Sequence, residues 1–320
     1  MKENIAIMAG GDSGEYEVSI LSANNVAADL DKNLYNLYLI VARQGKWIFT
    51  QDNTAYEIDK TDFSLTIGNR KITFDAAFII IHGTPGENGL LQGYFDMLGI
   101  KYTGCSALTS AVTFDKAVCN EVVRNFNIVN VAKNIACFKT NTLDLRTIID
   151  HIGFPAFVKP SQGGSSLATF KVNNAVELHH AITAAFEVDN KVLIEQFIKG
   201  RELTCGVFND EAFPVTEIVT DREFFDYDAK YKGLSNEITP ANIPDKLKEN
   251  IQQTSKQIYQ RLGCKGVCRV DFIYDVQDNT LFFLEINTVP GQSPQSIIPQ
   301  QVRAMGKTTQ WLYNAMLSEL

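Results

Sequence analysis

Cys268-Arg269-Val270-Asp271 and, after a polar turn, Leu284-Glu285-Ile286-Asn287 are the segments whose reading decides the fold. Each is apolar with polar residues two apart. Residues i and i+2 of a β-strand share a face. Arg269 and Asp271 therefore project together, as do Glu285 and Asn287. Tyr274–Thr280, YDVQDNT, is a turn signal between them. The pair reads as a β-hairpin carrying one cation and three oxygen ligands on one surface. Hard oxygen donors of this kind suit Mg²⁺ held together with substrate phosphates. A solvated amphipathic hairpin would show the same alternation, but Val267, Phe272, Phe282 and Phe283 are too apolar for an isolated edge. Directly opposed residues share a face. Asp271 and Glu285 can be opposed only across an odd-numbered loop, unless a bulge intervenes.

Working outward, the 320 residues suffice for two or three domains. Apolar residues make up 45% and charged residues 21%, the balance of a globular chain. The net charge of -8, from 29 basic and 37 acidic side chains, argues against nucleic-acid binding by phosphate neutralisation. MKENIAIMAGG turns polar too quickly for a signal peptide, and no window approaches eighteen uninterrupted apolar residues. A cytoplasmic protein with no membrane partner is expected. The six cysteines form no CxxC pair and no disulfide framework, and read as small buried hydrophobes in a reducing compartment.

The first hundred residues alternate strand and helix patterns. Strands are expected at Ile5–Ala9, Tyr35–Val41 and Ala77–Ile81, with helices at Glu17–Leu30 and Leu90–Leu98. This is βαβ grammar, hence a parallel sheet covered by helices. A second block has one long helix over Ser106–Phe126, then strand Ala136–Lys139, helix Leu143–Ile152, strands around Val158 and Ala168–Val172, helix Ala175–Phe186 and strand Val192–Gln196. The third block is richer in strands: Leu203–Phe208, Ala212–Val219, Gly266–Tyr274 and Thr280–Ile286. Helices Asp245–Leu262 and Lys307–Leu317 accompany them. Asp221–Pro244 reads as a long irregular loop, and its aromatics argue against disorder.

Four further motifs bear on chemistry. Gln162-Gly163-Gly164-Ser165-Ser166 lies between two strands, so it is not a Walker loop; GxxxxGK[ST] is absent. Such a loop must fold its own N–H groups over an anion, which glycine permits. Lys159 precedes it as a point charge. Glu195-Gln196-Phe197-Ile198 and Glu202 form a strand end that could offer backbone groups to an adenine edge and a carboxylate to ribose. Gly10-Gly11-Asp12-Ser13-Gly14 does not match GxGxxG, and the next strand ends in Ala42-Arg43 and not in an acidic residue, which argues against a Rossmann dinucleotide site. Glu17 and His82 lie near carboxyl ends of strands, where α/β proteins bind ligands. A helix-N-terminal acid and a structural histidine would look the same.

These pieces, in this order, resemble the D-alanine–D-alanine ligases of the ATP-grasp superfamily. The resemblance rests on GGDSGEYEVS, HGTPGENGLLQG, TFDK, FPAFVKPSQGGSS, VLIEQFIKGRELT, FFDYDAKY, CRVDF and LEINTVPG, and covers nearly the whole chain. It implies a mixed α/β, three-domain ATP-grasp architecture: an N-terminal parallel α/β domain at 1–104, a central subdomain at 105–195 and a C-terminal catalytic domain at 196–320. It implies ATP, two Mg²⁺ (or Mn²⁺) ions and D-alanine as ligands, and a homodimer. Lys116, Lys159 and Ser166 are similar to ATP-phosphate contacts. Glu195, Gln196, Ile198 and Glu202 are similar to adenine and ribose contacts. Asp271, Glu285 and Asn287 resemble the metal ligands. Glu17 corresponds to the acceptor of the first substrate's ammonium, with Ser165 and Tyr231 as partners and His82 nearby. Arg269 and the Gly291 N–H resemble oxyanion donors. Lys230, Ser296 and Ile297 resemble the second substrate's pocket.

One departure falls in that pocket: Pro290-Gly291-Gln292-Ser293 stands where the family usually has PGMT, Pro294-Gln295 comes ahead of Ser296, and Ile297 stands where leucine is common. The implied reaction is ligation of two D-alanines through an acyl phosphate, serving peptidoglycan synthesis. The rivals are a ligase on the same scaffold that uses D-serine or D-lactate as acceptor, and an ATP-binding module without catalysis.

Overall fold

The computed structural model describes residues 2–141, 144–164, 167–220 and 235–320. Ser165, Ser166, Lys230 and Tyr231 fall outside them.

The N-terminal sheet is built on β1 (Glu3–Gly10), followed by α1 (Tyr16–Asp29), β2 (Tyr35–Arg43), β3 (Lys46–Gln51), β4 (Thr54–Glu57), a β5–β6 hairpin (Ser64–Ile67, Arg70–Thr73), β7 (Ala76–Ile79), α2 (Leu90–Leu98) and β8 (Lys101–Tyr102). Strand order is β4-β3-β2-β1-β7-β8. β1 runs parallel to β2 and β7, and β7 to β8. The unbroken apolar run of β1 is what a strand covered on both faces requires, and Ile5–Ala9 are buried. The antiparallel edge β3–β4 and the β5–β6 hairpin were not expected. Their side chains are mixed, and Trp47, Phe63 and Tyr94 cluster edge-on beneath them.

The single helix expected over Ser106–Phe126 is two: α3 (Ala107–Phe114) and α4 (Lys116–Asn125). Asp115 breaks it with extended backbone, φ -87° and ψ 100°. Its carboxylate caps Val118 N–H at 3.2 Å. The same carboxylate accepts from Ser161 Oγ at 2.7 Å and Lys191 Nζ at 2.5 Å. An aspartate offered those partners competes with helical backbone bonding.

Next come β9 (Asn130–Val131), β10 (Asn134–Phe138), α5 (Leu145–Ile152), β11 (Ala156–Pro160), β12 (Phe170–Val172), α6 (Ala175–Ala185) and β13 (Lys191–Gln196). The order β10-β13-β11-β12 makes a four-stranded antiparallel sheet, with Ile148, Leu178, Ile182, Val192 and Ile194 in its core.

The third sheet contains β14 (Arg201–Phe208), β15 (Glu211–Ala212), β16 (Thr216–Thr220), β17 (Ser235–Ile238), β18 (Cys268–Asp275) and β19 (Thr280–Asn287). Its order is β17-β16-β14-β18-β19-β9, with β15 beside β14. The final four residues of the presumed loop before Thr239 are thus strand. β9 pairs with β19, and Cys105, Cys119 and Val123 lie in the core under this sheet. Helices α7 (Asp245–Arg261), α8 (Ile297–Ala304) and α9 (Thr309–Ser318) complete the chain. Ile298, Val302, Leu312 and Tyr313 join the N-terminal core, so the chain's two ends share one apolar interior.

The hairpin register is informative. Asp275 pairs with Thr280, leaving the even number of four residues in the turn. Phe272 faces Phe283, but Asp271 faces Glu285. Leu284 is therefore a bulge. It reverses the alternation of β19, so that Phe283 enters the core while Glu285 and Asn287 stand opposite Asp271 and Arg269.

Candidate active site

A cleft of about 1250 Å³ lies between the four-stranded sheet, the C-terminal sheet and the carboxyl ends of β1 and β7. One wall is the β18–β19 hairpin. Arg269 donates to Asp271 twice, Nε to Oδ1 at 2.9 Å and Nη2 to Oδ2 at 2.8 Å. Asn287 Nδ2 donates to the same Oδ2 at 3.0 Å. Thr204 Oγ1 donates to Asp271 Oδ1 from β14. Burial opposes the charge on Arg269, but Asp271 and then Glu285 and Glu237 hold its pKa above the ordinary guanidinium value. Asp271 is only 3% exposed. A buried carboxylate with this many donors is held in one orientation.

Lys116 reaches the hairpin from the first turn of α4. Its Nζ is 3.6 Å from Glu285 Oε2 and donates to Gly163 O at 2.7 Å. The break at Asp115 is what aims it, because a continuous helix would carry residue 116 onward along α3. Lys159 lines the opposite wall from β11 and pairs with Glu195 of β13 at 2.5 Å, both nearly buried. Gln196 and Ile198 follow along that wall, and Glu202 lines the cleft from β14, beside β18 in the C-terminal sheet. Phe197 packs on Phe157, ring centroids 5.6 Å apart, and lies under Lys171 Nζ at 4.5 Å.

The loop after β11 bends inward at Gly163, φ +127°. A Cβ on Gly164 would stand 2.2 Å from Glu15 Oε2. Any larger residue at 164 would have to push that carboxylate aside. Glu15, the N-cap position of α1, lines the cleft. Glu17 does not: it is exposed on the first turn of α1 and lies outside the lining. This corrects the expectation for Glu17. Two helical residues turn the side chain through about 200°, from the cleft to solvent. The segment GEYE has two glutamates, and only the point where the helix begins distinguishes them.

His82 is in the cleft wall but commits both ring nitrogens to the protein. Val289 O can only accept, so Nδ1–H donates to it at 2.8 Å. Nε2 then accepts from Ser22 Oγ at 3.3 Å, and Ser22 Oγ accepts from Gln292 N–H at 3.0 Å. Burial pushes the His82 pKa down, keeping the ring neutral as this chain of bonds requires. The ring ties β7's end to the 288–292 turn, and its part is to position that turn. Glu87, half-buried beside it, accepts from Gly83 N–H at 2.7 Å and Val289 N–H at 3.2 Å. Burial and then the neighbouring Glu15 raise its pKa to about 8. It sits within HGTPGENG, yet only its placement beside a second carboxylate marks it.

Gly291, Ser296 and Ile297 line the far end of the cleft. Ser296 Oγ is bonded to Ser293 Oγ at 2.8 Å and accepts from Ser293 N–H at 3.1 Å. Glu237 of β17 lines the same end, hydrogen-bonded to Gln300 Nε2 at 2.5 Å, and burial raises its pKa. No motif in the sequence pointed to it, because β17 lies in a stretch without a strand pattern long enough to read.

An antiparallel sheet and a mostly antiparallel one closing on a cleft with lysines on both sides and acidic oxygens at one end define a ligase of the ATP-grasp class. Comparison with known proteins narrows this. The D-ala D-ala ligase N-terminus family matches residues 4–105 and the D-ala D-ala ligase C-terminus family residues 123–318. The chain is 45% identical to the D-alanine–D-alanine ligase of Phocaeicola vulgatus over 96% of its own length and 95% of that protein. It is 46% identical to the ligase of the same name from Parabacteroides distasonis, over 96% and 94%. Among solved structures, the VanG D-Ala:D-Ser ligase of Enterococcus faecalis is similar at TM-score 0.89 and 30% identity, over 99% of both chains. The Bacillus anthracis D-alanine–D-alanine ligase complexed with ATP is similar at TM-score 0.80 and 29% identity, over 99% and 96%. The chain belongs to the D-alanine–D-alanine ligase family.

Proposed function

We propose that this enzyme joins two D-alanine molecules into D-alanyl-D-alanine at the expense of ATP. The observation that carries the reading is the hydrogen-bonded set Arg269–Asp271–Asn287, with Glu285 beside Lys116, facing Lys159 and Glu195 across one cleft. The first substrate's carboxylate oxygen bonds to the γ-phosphorus of ATP, ADP leaves, and an acyl phosphate results. Lys116 and Lys159 offset the charge that builds on the phosphate oxygens. Glu15 holds the ammonium of that first substrate, fixing which end meets the phosphate. The amine of the second D-alanine bonds to the acyl carbon, and Arg269 with the Gly291 N–H stabilises the oxyanion. Inorganic phosphate leaves, the amine sheds a proton, and the dipeptide remains. Ser296 and Ile297 form part of the acceptor's pocket.

The donor set suits a hard divalent cation. Asp271 and Glu285 offer carboxylate oxygens and Asn287 its amide oxygen, and the cations now beside the two carboxylates are Arg269 and Lys116. Two Mg²⁺ or Mn²⁺ ions held there would neutralise and orient the phosphates of ATP. The same reading gives Gln196, Ile198 and Glu202 to the nucleoside, and Ser165, Ser166, Lys230 and Tyr231, outside the described residues, to substrate and phosphate contacts. A homodimer and a cytoplasmic location for a step of peptidoglycan synthesis go with it; among the described residues no helix is long and apolar enough to cross a membrane.

The test is mass spectrometry of products from ATP, Mg²⁺ and D-alanine, alone and with D-serine or D-lactate. D-Alanyl-D-alanine with stoichiometric ADP is the expected outcome. A mixed product preferred when both acceptors compete would overturn the acceptor assignment. ATP hydrolysis without any condensed product would overturn the ligase reading.

A further inference from the structure

Half of the chain's six cysteines converge away from the cleft. Cys105 follows β8, while Cys264 and Cys268 flank the turn between α7 and β18. Their exposures are 1%, 8% and 0%, and their sulfurs all lie within 4.8 Å of one another. None of them lines the active-site cleft.

The Cys105 and Cys268 sulfurs are 3.7 Å apart. A disulfide needs about 2.05 Å. Two thiolates on one tetrahedral zinc, each about 2.3 Å from the metal, stand about 3.8 Å from each other. The carbonyl oxygen of Lys265 lies 3.5 Å from Cys105 Sγ and 3.9 Å from Cys268 Sγ. A fourth ligand oxygen about 2.1 Å from the same metal would stand about 3.6 Å from each sulfur. The Lys265 N–H donates to Cys105 Sγ at 3.4 Å, the kind of surrounding bond that steadies a metal-bound thiolate.

The backbone holds these donors in place. Gly266, φ +64°, is pressed on Gly104 so closely that a Cβ would meet its Cα at 2.9 Å. Tyr259 Oη donates to Gly266 O at 2.8 Å from α7. The turn is thereby fixed against the segment that presents Cys105. Cys205, by contrast, bonds to the backbone oxygens of Gly206 and Phe213 and is not among the three converging sulfurs.

We propose that Cys105, Cys264 and Cys268, with the Lys265 carbonyl, form a closed structural site for one Zn²⁺. Soft thiolates select such a cation over the hard ions that suit the cleft. Binding displaces the thiol protons to solvent, so affinity falls with pH. The metal would tie the end of the N-terminal sheet to the first residue of the catalytic hairpin.

The full-length protein, reduced and stripped of metal, is titrated with Co²⁺ as a spectroscopic stand-in. Co²⁺ can also enter the oxygen site, so the readout is sulfur-to-cobalt charge-transfer absorption, which oxygen ligands do not produce. Expected are saturation at one equivalent, loss of the band on adding Zn²⁺, and a melting temperature raised by Zn²⁺. Cys105→Ser and, separately, Cys264→Ser abolish the band and the zinc-dependent rise; Cys137→Ser, in the four-stranded sheet, keeps both. Absence of the band in the reduced wild-type chain, or its persistence in both serine variants, overturns the site. So does isolation of a Cys105–Cys268 disulfide together with no metal uptake after reduction. D-Alanine-dependent ADP formation is followed separately, so that failure of the zinc site and failure of the proposed ligase activity are told apart.

Discussion

Glu15 and Glu17 differ by two positions and by everything that matters to the cleft. Glu15→Gln removes a charge that faces the Gly164 loop, and a charge-assisted contact to an ammonium is worth about 1.5–3 kcal/mol. Steady-state kinetics should show kcat/KM for D-alanine falling by roughly 10- to 100-fold, whereas Glu17→Gln should stay within about twofold, as exposed substitutions do. Equal losses in both variants would refute the assignment. Glu285→Ala should abolish ADP formation while leaving the melting temperature nearly unchanged, since Glu285 sits at the cleft and not in the core; turnover near the wild-type rate would remove it from the metal set. The residue identities were legible: Lys116, Lys159, Glu195, Asp271, Glu285 and Asn287 all meet at the cleft expected of them. The role of Glu17 was not, because helix starts are read to within a residue or two and a side chain's direction changes by about 100° per residue.

Two local irregularities place the chemistry on its elements. Asp115 divides α3 from α4 and thereby sends Lys116 to the cleft. Burial opposes its charge, yet Lys191, Ser161 and Gln162 hold its pKa below the ordinary carboxylate value. The sign follows: a depressed carboxylate adds stability that is present above its unfolded pKa and lost as pH falls through the folded one. Asp115→Ala loses a cap and strands Lys191, so chemical denaturation should show a cost of about 3 kcal/mol, most of it above pH 4. KM for ATP should rise in the same variant; an unchanged KM would mean that Lys116 does not depend on the break. Leu284 is the second irregularity. An even turn alone would have put Glu285 on the face opposite Asp271, and the bulge reverses this. Alternation of polar residues was visible in the sequence. The extra residue was not, because an apolar leucine beside two phenylalanines gives no sign of which one leaves the ladder.

Glu87 and His82 tie the N-terminal sheet to the 288–292 turn, and their titration should appear in the stability of the entire protein. The folded Glu87 carboxyl keeps its proton to about pH 8, against 4.5 when unperturbed. Between those values the native state holds more protons than the unfolded chain, so this contribution falls as pH rises. His82 works in the other direction: its lowered pKa removes stability as pH drops below 6.5. From pH 6.5 to 8 the melting temperature of Glu87→Gln should therefore fall less than that of the wild type; parallel curves would show that Glu87 is not the group responsible. The shared core also predicts that the N-terminal sheet and helices α8 and α9 unfold in one cooperative transition, since Ile298, Leu312 and Tyr313 pack with β1 and β7. ADP with Mg²⁺ at about 100 times Kd should add about 2.7 kcal/mol to that transition, and chelation should remove the gain. The sequence by itself determined the class: βαβ grammar from unbroken apolar runs, a polar-faced hairpin from period-two alternation, and the family from motifs spread along the chain, all of them local patterns. Tertiary structure alone decided the bulge at Leu284, the break at Asp115, the choice of Glu15 and the gathering of Cys105 with Cys264 and Cys268. Each depends on partners far away in the chain, and a backbone bends toward such partners for energetic reasons that no short window of residues contains.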